Sequence, residues 1–425
     1  MKRALVHIGV RSALAVYGAA LAAARLVRRR PRAIDEGGCD ILLTGMFQSN
    51  SWVEHHLRPL ALAGSCRSVT LVATTPLAPM DKVSVVQPPR WLIRVAGSAG
   101  ARLLVFTALT LRRRPHIVGG FHLLFNGLTA ALVAPLAGAR SLYFCVGGPA
   151  EVLDGGIRAE NKLFNRLETA DPIVEQQLVR ATASFDTIIT MGTSAARFLR
   201  ERGARGEIQV IPGGLDPVTY QPSSLPPETD VMFVGRLAPI KRPELLLEAI
   251  RLVADRCPQV RVTIVGDGVL REALEERASR LGLTSNVTFA GHRTDVRALL
   301  PRARAFILTS ETEGVALSLM EALACGVPSI VPRVGDLGDV LIDGVNGFLV
   351  DDHTPEAFAA RILELLADEP SRRTMAAAAR RSSDAYAVPA MSRRWEDVLR
   401  SGVPSEVVQA GLKCSAAISG PRPRG

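Results

Sequence analysis

Residues 309–328 read TSETEGVALSLMEALACGVP, and they place Glu313 and Glu321 on either side of seven intervening residues around a predicted helix start. The sequence AFILT at 305–309 is an apolar run of strand length. From Leu317 onward apolar side chains recur at helical spacing, and a glycine and a proline follow as stop signals. The stretch therefore predicts a strand, a loop that carries Glu313 and a helix that carries Glu321.

The predicted loop is a candidate ligand site. Open α/β sheets bind ligands at the carboxyl ends of their strands. Backbone N–H groups at a helix start favour an anion such as a phosphate, and here they belong to Gly314, Val315 and Ala316. A structural alternative exists, because a glutamate near a helix N-terminus is stabilising in any case and a mid-helix glutamate is usually solvated.

Three further motifs lie at similar positions relative to predicted strands. They are GRLAPIK at 235–241, VTIVGDG at 262–268 and PSIVPRVGDLGDVLIDGVNGFLV at 328–350. The first offers Arg236 and Lys241 just beyond a strand end, and the second offers a tight glycine turn at Gly266. These motifs predict cations and closely approaching backbone at the same edge of a sheet as Glu313.

Together the four motifs resemble the family-4 retaining glycosyltransferases of the GT-B fold, whose mark is E-x7-E preceded by G-R-L-x(n)-K. The resemblance covers about residues 230–350. It implies an α/β protein with two doubly wound, Rossmann-like domains facing a cleft. It further implies that Arg236 and Lys241 hold the diphosphate of a nucleotide sugar, that Glu313 contacts the transferred sugar and that Glu321 contacts the ribose.

The chemistry that this resemblance implies is transfer with retention of configuration. Fixed positive charge stabilises the leaving diphosphate, and a leaving-group phosphate oxygen takes the acceptor proton, so that a dedicated base is dispensable. No D-x-D motif occurs in the chain, and we expect neither a metal nor another cofactor. Paired carboxylates also serve glycoside hydrolases, but the cations of the GRLAPIK motif argue against hydrolysis.

Two more candidates concern the sugar donor. Gly45, after the first predicted strand, stands where many relatives have a pair of glycines near the phosphates. Arg293, in GHRTD at 291–295, is a candidate contact for the base or ribose, although a solvated loop arginine is at least as good an interpretation.

The acceptor side is less well marked. His122 is the candidate for contact with the sugar or acceptor, with His55 and His56 as substitutes, although a lone histidine is more often structural. The candidate catalytic residues are therefore Arg236, Lys241, Glu313 and His122. The glycine-rich segment GGPAEVLDGG at 147–156, which contains Glu151, predicts a mobile acceptor loop.

Strand and helix patterns alternate along the chain, which favours parallel sheets covered by helices on both faces. The predicted organisation is a membrane-associating leader at 1–35, an acceptor domain at 36–213, a linker at 214–229, a sugar-donor domain at 230–385, a helix region at 386–401 and a disordered tail at 402–425. The length of 425 residues suits two domains.

Charge is unevenly distributed. The net charge is +10, and the residues before Asp35 include eight basic and no acidic side chains. An apolar run at 12–24 separates the basic clusters and is short for a bilayer span, so that a helix lying in the membrane interface fits better than a signal peptide, a spanning helix or an unstructured leader. Few aromatic residues and no nucleic-acid motif make nucleic acid the weaker partner.

Two apolar helices are predicted at 101–115 and 123–140, and core packing explains them best. The triplet at 112–114 is nevertheless a second candidate for contact with lipid headgroups. The six cysteines are scattered and form no C-x-x-C pair, which is typical of reduced cytosolic thiols.

The favoured function is transfer of a sugar from a nucleotide donor to a saccharide or lipid-linked acceptor, by a cytoplasmic protein peripheral to the inner face of the cell membrane. The basic, apolar N-terminus is the basis for the membrane and the acceptor class. The alternatives are a nucleotide-sugar epimerase and a non-catalytic, membrane-associated protein that binds nucleotide sugars.

Overall fold

The computed structural model describes residues 2–32, 34, 37–47, 49–157, 161 and 164–401. Within these residues the chain forms two parallel β-sheets in sequence order, each covered by helices. This confirms the predicted pair of doubly wound α/β domains. The predicted tail at 402–425 lies outside the described residues.

The N-terminal domain is built on a parallel sheet in the order β3-β2-β1-β4-β5-β6-β7. Its strands are β1 Cys39–Thr44, β2 Cys66–Val72, β3 Val83–Val86, β4 Ile117–Phe121, β5 Arg140–Cys145, β6 Thr187–Thr190 and β7 Glu207–Val210. Its helices are α1 Lys2–Leu26, α2 Asn50–Leu62, α3 Arg90–Arg113, α4 Leu128–Ala137, α5 Pro172–Thr182 and α6 Thr193–Glu201. The sequence analysis did not identify β3, whose short VSVV run follows turn residues.

The C-terminal domain is built on a second parallel sheet in the order β10-β9-β8-β11-β12-β13. Its strands are β8 Thr229–Val234, β9 Val262–Val265, β10 Val287–Gly291, β11 Ala303–Ile307, β12 Ser329–Pro332 and β13 Gly347–Val350. The helices that follow β8 are α7 Pro243–Arg256, α8 Arg271–Arg280, α9 Val296–Leu299, α10 Leu317–Ala324, α11 Pro355–Ala367, α12 Glu369–Ser383 and α13 Val388–Arg400.

Successive residues of each N-terminal strand point to opposite faces of the sheet. Leu43 of β1 packs in a cluster with residues of α2 and α13, whereas Leu42 packs with residues of α3 and α4. The last helix of the chain, α13, therefore returns to the N-terminal domain, where Trp395 is almost completely buried. This return ties the two domains together.

The domains also contact each other across the cleft. Asp336 accepts a hydrogen bond from the backbone N–H of Ser194 at 2.7 Å. Asp339 accepts from the backbone N–H and the hydroxyl of Thr193 at 2.7 and 2.8 Å. Since Thr193 begins α6, two carboxylates of the second domain lie against a helix N-terminus of the first, where negative charge is favourable.

Helix α1 packs on the N-terminal domain. Val10, Leu14 and Leu21 are buried in a cluster with residues of α4 and α5. Asp171, which is fully buried, accepts two hydrogen bonds from Arg11 Nε at 3.0 and 3.2 Å and lies 2.5 Å from His7 Nδ1. The predicted leader is thus integrated into the fold from residue 2 to residue 26, and its removal would uncover part of the core.

Asp171 provides a test of this packing. Burial alone acts to raise its pKa, but the hydrogen bonds from Arg11 and His7 outweigh burial and hold the pKa at about 2. Because hydrogen bonds to a charged group each contribute about 1.5–3 kcal/mol, we expect Asp171→Asn to lower the free energy of unfolding by about 2 kcal/mol at pH 7, measured by urea denaturation.

The same substitution has a defined pH dependence. The folded pKa of Asp171 lies below the unfolded value of about 3.9. Its contribution to stability is therefore fully present above about pH 4 and is lost as the pH falls towards 2. The difference between Asp171→Asn and wild type should shrink over that interval, and a difference that stays constant would contradict the assigned role of the carboxylate.

The two apolar helices of the N-terminal domain differ in burial. Most residues of α4 are buried, as core packing predicts. In contrast, α3 begins at Arg90, earlier than predicted, is kinked at Gly97 and buries Ala101, Arg102, Phe106 and Thr110. The interpretation as a core helix is therefore correct for α4 and only partly correct for α3.

Candidate active site

Lys241 and Glu313 meet at the carboxyl edge of the second sheet. Glu313 follows β11, and Lys241 ends a short turn between β8 and α7. Lys241 Nζ forms an ion pair with Glu313 Oε1, and the Ser310 hydroxyl donates to the same oxygen at 2.6 Å. Two side chains that the sequence placed in separate motifs are therefore direct partners.

The backbone holds these two loops together. The Thr309 hydroxyl donates to the carbonyl oxygens of Lys241 and Arg242, both at 2.9 Å. The backbone N–H of Glu311 donates to the carbonyl oxygen of Ile240, also at 2.9 Å. Because these hydrogen bonds join the two loops, the Lys241 ammonium and the Glu313 carboxylate are held next to each other in the cleft.

Glycines permit close approach between the motif loops. A side chain at Gly266, where φ is +141°, would place Cβ 1.9 Å from the carbonyl oxygen of Gly235. At Gly335, where φ is +53°, Cβ would lie 1.7 Å from the carbonyl oxygen of Glu313. Cβ contacts this short do not occur, so the packing of one motif against the next requires glycine at both positions.

Gly314 faces the other domain. A Cβ built there would lie 3.6 Å from Cβ of Met191 and 3.8 Å from the carbonyl oxygen of Val146. These residues follow β6 and β5, so the Glu313 loop lies opposite the carboxyl ends of the first sheet. Val315 is buried beside Ala316, and Ala316 precedes α10 without a side-chain cap.

Glu321 is buried where helix α10 meets helix α2 of the first domain. It is 8% exposed, and its Oε1 accepts a hydrogen bond from the Tyr220 hydroxyl at 2.8 Å. His55 Nε2 of α2 lies 3.6 Å from the same oxygen. Burial raises the pKa of Glu321, while His55 and Tyr220 act in the opposite direction.

Neither Tyr220 nor the approach of His55 was predicted as part of the sugar-donor site. Tyr220 lies in the segment that joins the sheets, and its role depends on how that segment folds back on α10. Its only sequence signal is an aromatic residue within a run rich in proline and serine.

The two other arginines predicted to contact the sugar donor lie at the surface. Arg236 is exposed just after β8. Arg293 is exposed and forms a two-point ion pair with Asp295, at 2.8 and 2.6 Å. Hydrogen bonding to Asp295 raises the pKa of Arg293. Contacts of Arg236 and Arg293 with a sugar donor remain predictions.

On the opposite side, His122 lies at the carboxyl end of β4. Its backbone adopts φ +64°, which is uncommon for a residue with a side chain. His122 Nδ1 lies 3.2 Å from Glu151 Oε1, and 40% of its side chain is exposed. Strain of this kind persists where the surrounding contacts impose it, and it is often found at functional sites.

Glu151 is a buried partner of His122. Its carboxylate is buried and accepts hydrogen bonds from the backbone N–H of Leu123, the Tyr143 hydroxyl at 3.0 Å and the backbone N–H of Gly147 at 2.6 Å. Burial alone acts to raise the pKa of Glu151, but the charge of His122 and these hydrogen bonds outweigh it, and the pKa is lowered.

Within the segment 147–156, which the sequence predicts to be a mobile acceptor loop, the carboxylate of Glu151 is buried and held by hydrogen bonds. Contact between this loop and an acceptor remains a prediction. The sequence signal was an acidic residue among glycines, which is equally typical of a loop that wraps a buried carboxylate. Only the fold shows that β4 and β5 place His122 and Glu151 side by side.

The other N-terminal candidates have packing roles. Gly45 is buried, and a Cβ there would meet the ring of Phe47 at 2.5 Å and Cβ of Phe121 at 3.0 Å. His56 is buried, its ring stacks on that of Trp52, and burial lowers its pKa to about 4. Contact between Gly45 and a sugar donor remains a prediction.

A match to a known protein family covers most of the second domain. Residues 221–382 match the family described as glycosyl transferases group 1. A D-inositol 3-phosphate glycosyltransferase from Nocardiopsis dassonvillei is 36% identical over 228 residues, which are 48% of this chain and 52% of that protein. The chain thus matches curated relatives over about half of their length.

Solved structures match over both domains. Sucrose-phosphate synthase from Thermosynechococcus elongatus aligns with a TM-score of 0.69 and 19% identity, over 85% of this chain and 98% of that one. Anabaena HepE in complex with UDP and glucose aligns with a TM-score of 0.67 and 19% identity, over 85% and 100%. At this level of identity the likeness shows the shared two-domain GT-B fold.

Proposed function

We propose that this chain, whose second domain matches the group 1 glycosyl transferases, moves a sugar from a nucleoside-diphosphate donor to an acceptor with retention of configuration. The observation that carries the proposal is the Lys241–Glu313 ion pair at the carboxyl edge of the second sheet, facing the first domain across the cleft. A diphosphate entering there would meet the Lys241 ammonium and Arg236. The carboxylate of Glu313 would then accept hydrogen bonds from sugar hydroxyls.

The proposed reaction breaks the bond between the anomeric carbon and the diphosphate oxygen. Fixed cations stabilise the charge that develops on that oxygen without reorganising in the transition state. The acceptor hydroxyl attacks from the same face, and its proton passes to a leaving-group oxygen. His122, which Glu151 holds at the edge of the first sheet, would orient the transferred sugar or the acceptor.

We further propose that the acceptor is a saccharide or a lipid-linked saccharide presented at the inner face of the cell membrane. The relatives named as D-inositol 3-phosphate glycosyltransferases support a polyhydroxylated acceptor as a class. The described cysteines are free thiols, which fits a cytoplasmic location; they are Cys39, Cys66, Cys145, Cys257 and Cys325.

The test of the proposed function is binding of UDP-, GDP- and ADP-sugars by calorimetry, followed by product analysis with the sugar donor that binds. We expect selective binding that Glu321→Gln weakens about tenfold or more, because a neutral amide accepts fewer hydrogen bonds from the ribose than a carboxylate. Glu54→Gln, at an exposed position of α2, is the matched control.

Each outcome of this test is informative. Selective binding followed by sugar transfer supports the proposal. Conversion of the sugar nucleotide to an epimer without an acceptor would replace it with the epimerase alternative. If none of the three classes binds, the proposed sugar-donor site is wrong.

A further inference from the structure

Helix α1 is apolar on two sides. Its inner side packs on the domain, but its outer side carries Leu5, Ile8, Val16 and Leu26, all exposed, with Val16 at 70%. The spacing of these residues follows one stripe of a helix. No charged residue lies between Arg11 and Arg25. A helix on the surface of a water-soluble domain normally carries polar residues on its outer side.

Helix α3 repeats this pattern. Trp91, Val95, Leu104 and Leu111 are exposed along it, with Trp91 at 64% and Leu104 at 54%. Neither α1 nor α3 contains an acidic residue. By length and composition, these two described helices are apolar enough to cross a membrane, but both are attached to the domain by one side.

The two helices lie on the same face of the sheet, around α4. Residues of α1 and α4 share one buried cluster, which includes Leu14 and Leu128, and residues of α3 and α4 share another, which includes Phe106 and Ala134. Tyr17 donates a hydrogen bond to the carbonyl oxygen of Leu128 at 3.0 Å. Their exposed apolar side chains therefore belong to one side of the molecule.

The arginine clusters of the two helices converge at the end of α4. The backbone N–H of Arg29, just beyond α1, donates to the carbonyl oxygen of Pro135 at 3.0 Å. Arg114, just beyond α3, donates through Nε to the carbonyl oxygen of Ala137 at 3.1 Å. The side chains of Arg28, Arg29, Arg30, Arg112, Arg113 and Arg114 are exposed there. Two basic segments more than eighty residues apart in the sequence thus form one cationic cluster.

We infer that the outer sides of α1 and α3, together with this arginine cluster, dock the protein on a bilayer that contains anionic phospholipid. Apolar side chains enter the boundary between headgroups and acyl chains, and arginines pair with lipid phosphates. An acidic protein partner would match the arginines but not the two apolar stripes. The inference rests on the proposed function only in placing the acceptor at that bilayer.

The orientation of the surface follows from the topology. Helix α4 begins near the carboxyl end of β4, beside His122, and ends where β5 begins. The arginine cluster therefore lies at the edge of the sheet away from the cleft. The N-terminal end of α3 lies at the opposite edge, on the side of the cleft. Docking by this side places the cleft beside the bilayer rather than buried in it.

The test is partitioning of the full chain onto vesicles of phosphatidylcholine with or without phosphatidylglycerol, measured by co-sedimentation. Val16→Gln/Leu104→Gln tests the apolar stripes, and Arg29→Glu/Arg112→Glu tests the cluster. The matched controls are Val218→Gln/Val269→Gln and Arg256→Glu/Arg373→Glu, which change exposed positions outside this surface.

We expect the wild type to prefer the anionic vesicles, both surface variants to lose about tenfold or more in partitioning, and both controls to retain it. All variants should keep the wild-type melting temperature, because the substituted side chains are exposed. Failure of the wild type to partition, equal partitioning onto neutral vesicles, or surface variants that behave like their controls would overturn the inference.

Binding of nucleotide sugars is measured separately in solution. Vesicle partitioning without binding of any nucleotide sugar would defeat the proposed function and leave the docking surface in place. Binding of a nucleotide sugar without partitioning onto vesicles would overturn only the docking surface.

Discussion

Replacing Lys241 by alanine is expected to lower the rate of sugar transfer by about 10²–10³-fold, the range found when a single group that stabilises transition-state charge is removed. The ammonium is the group that the structure holds against Glu313 at the edge of the sheet. Its loss removes a fixed charge from the leaving diphosphate and deprives the Glu313 carboxylate of its ion pair, while the hydrogen bond from the Ser310 hydroxyl is kept.

The measurement is a steady-state assay combined with calorimetry of donor binding. Lys241→Arg keeps the charge but changes its position, and it should recover part of the activity. Arg373→Ala, on an exposed part of the same domain, is the control and should behave as wild type. Near-normal affinity and turnover in Lys241→Ala would remove this residue from the diphosphate site.

Replacing Glu151 by alanine is expected to lower the free energy of unfolding by about 3–5 kcal/mol, because it removes the charged member of a buried, hydrogen-bonded network. The groups left behind are the His122 ring, the Tyr143 hydroxyl and two backbone N–H groups. We also expect sugar transfer to fall because His122 loses the contact that orients its ring, while binding of the sugar donor at the second domain is retained.

Chemical denaturation and separate assays of donor binding and transfer check this result. Glu151→Gln keeps the volume and some hydrogen bonds, so a smaller loss of stability is expected, and it allows transfer to be measured if the alanine variant does not fold. Glu54→Ala removes an exposed ion pair, which contributes at most about 1 kcal/mol, and serves as the control. An unfolding free energy unchanged in Glu151→Ala would contradict the buried network, and full transfer by the glutamine variant would contradict the orienting role.

Much of the architecture could be predicted from the sequence. Apolar runs of strand length alternate with helical periodicity, and in parallel sheets such runs are buried on both faces, which makes the strands easy to recognise. The position of Glu313 after β11 followed from the same pattern. The short strand β3 was missed because four residues after a turn carry little periodic signal.

The motif loops were located correctly relative to the strands. Which side chains and backbone groups of these loops contact each other was not predicted. That Lys241 binds Glu313, and that Gly266 and Gly335 are needed for backbone contact between loops, depends on which strands are neighbours in the sheet. Strand order is set by long-range pairing, which local periodicity does not encode.

The sequence by itself determined the two α/β domains, the edge of the second sheet where the charged motifs gather and the basic, apolar character of the N-terminus. Only the tertiary structure decided that Glu151 is buried beneath His122, that Tyr220 and His55 enclose Glu321, and that α1 and α3 bring their arginines together at α4. The physical reason is that periodicity reports how each segment divides its surface between core and solvent. The contacts of a charged side chain depend instead on segments that are distant in the chain and adjacent only after the sheets have formed.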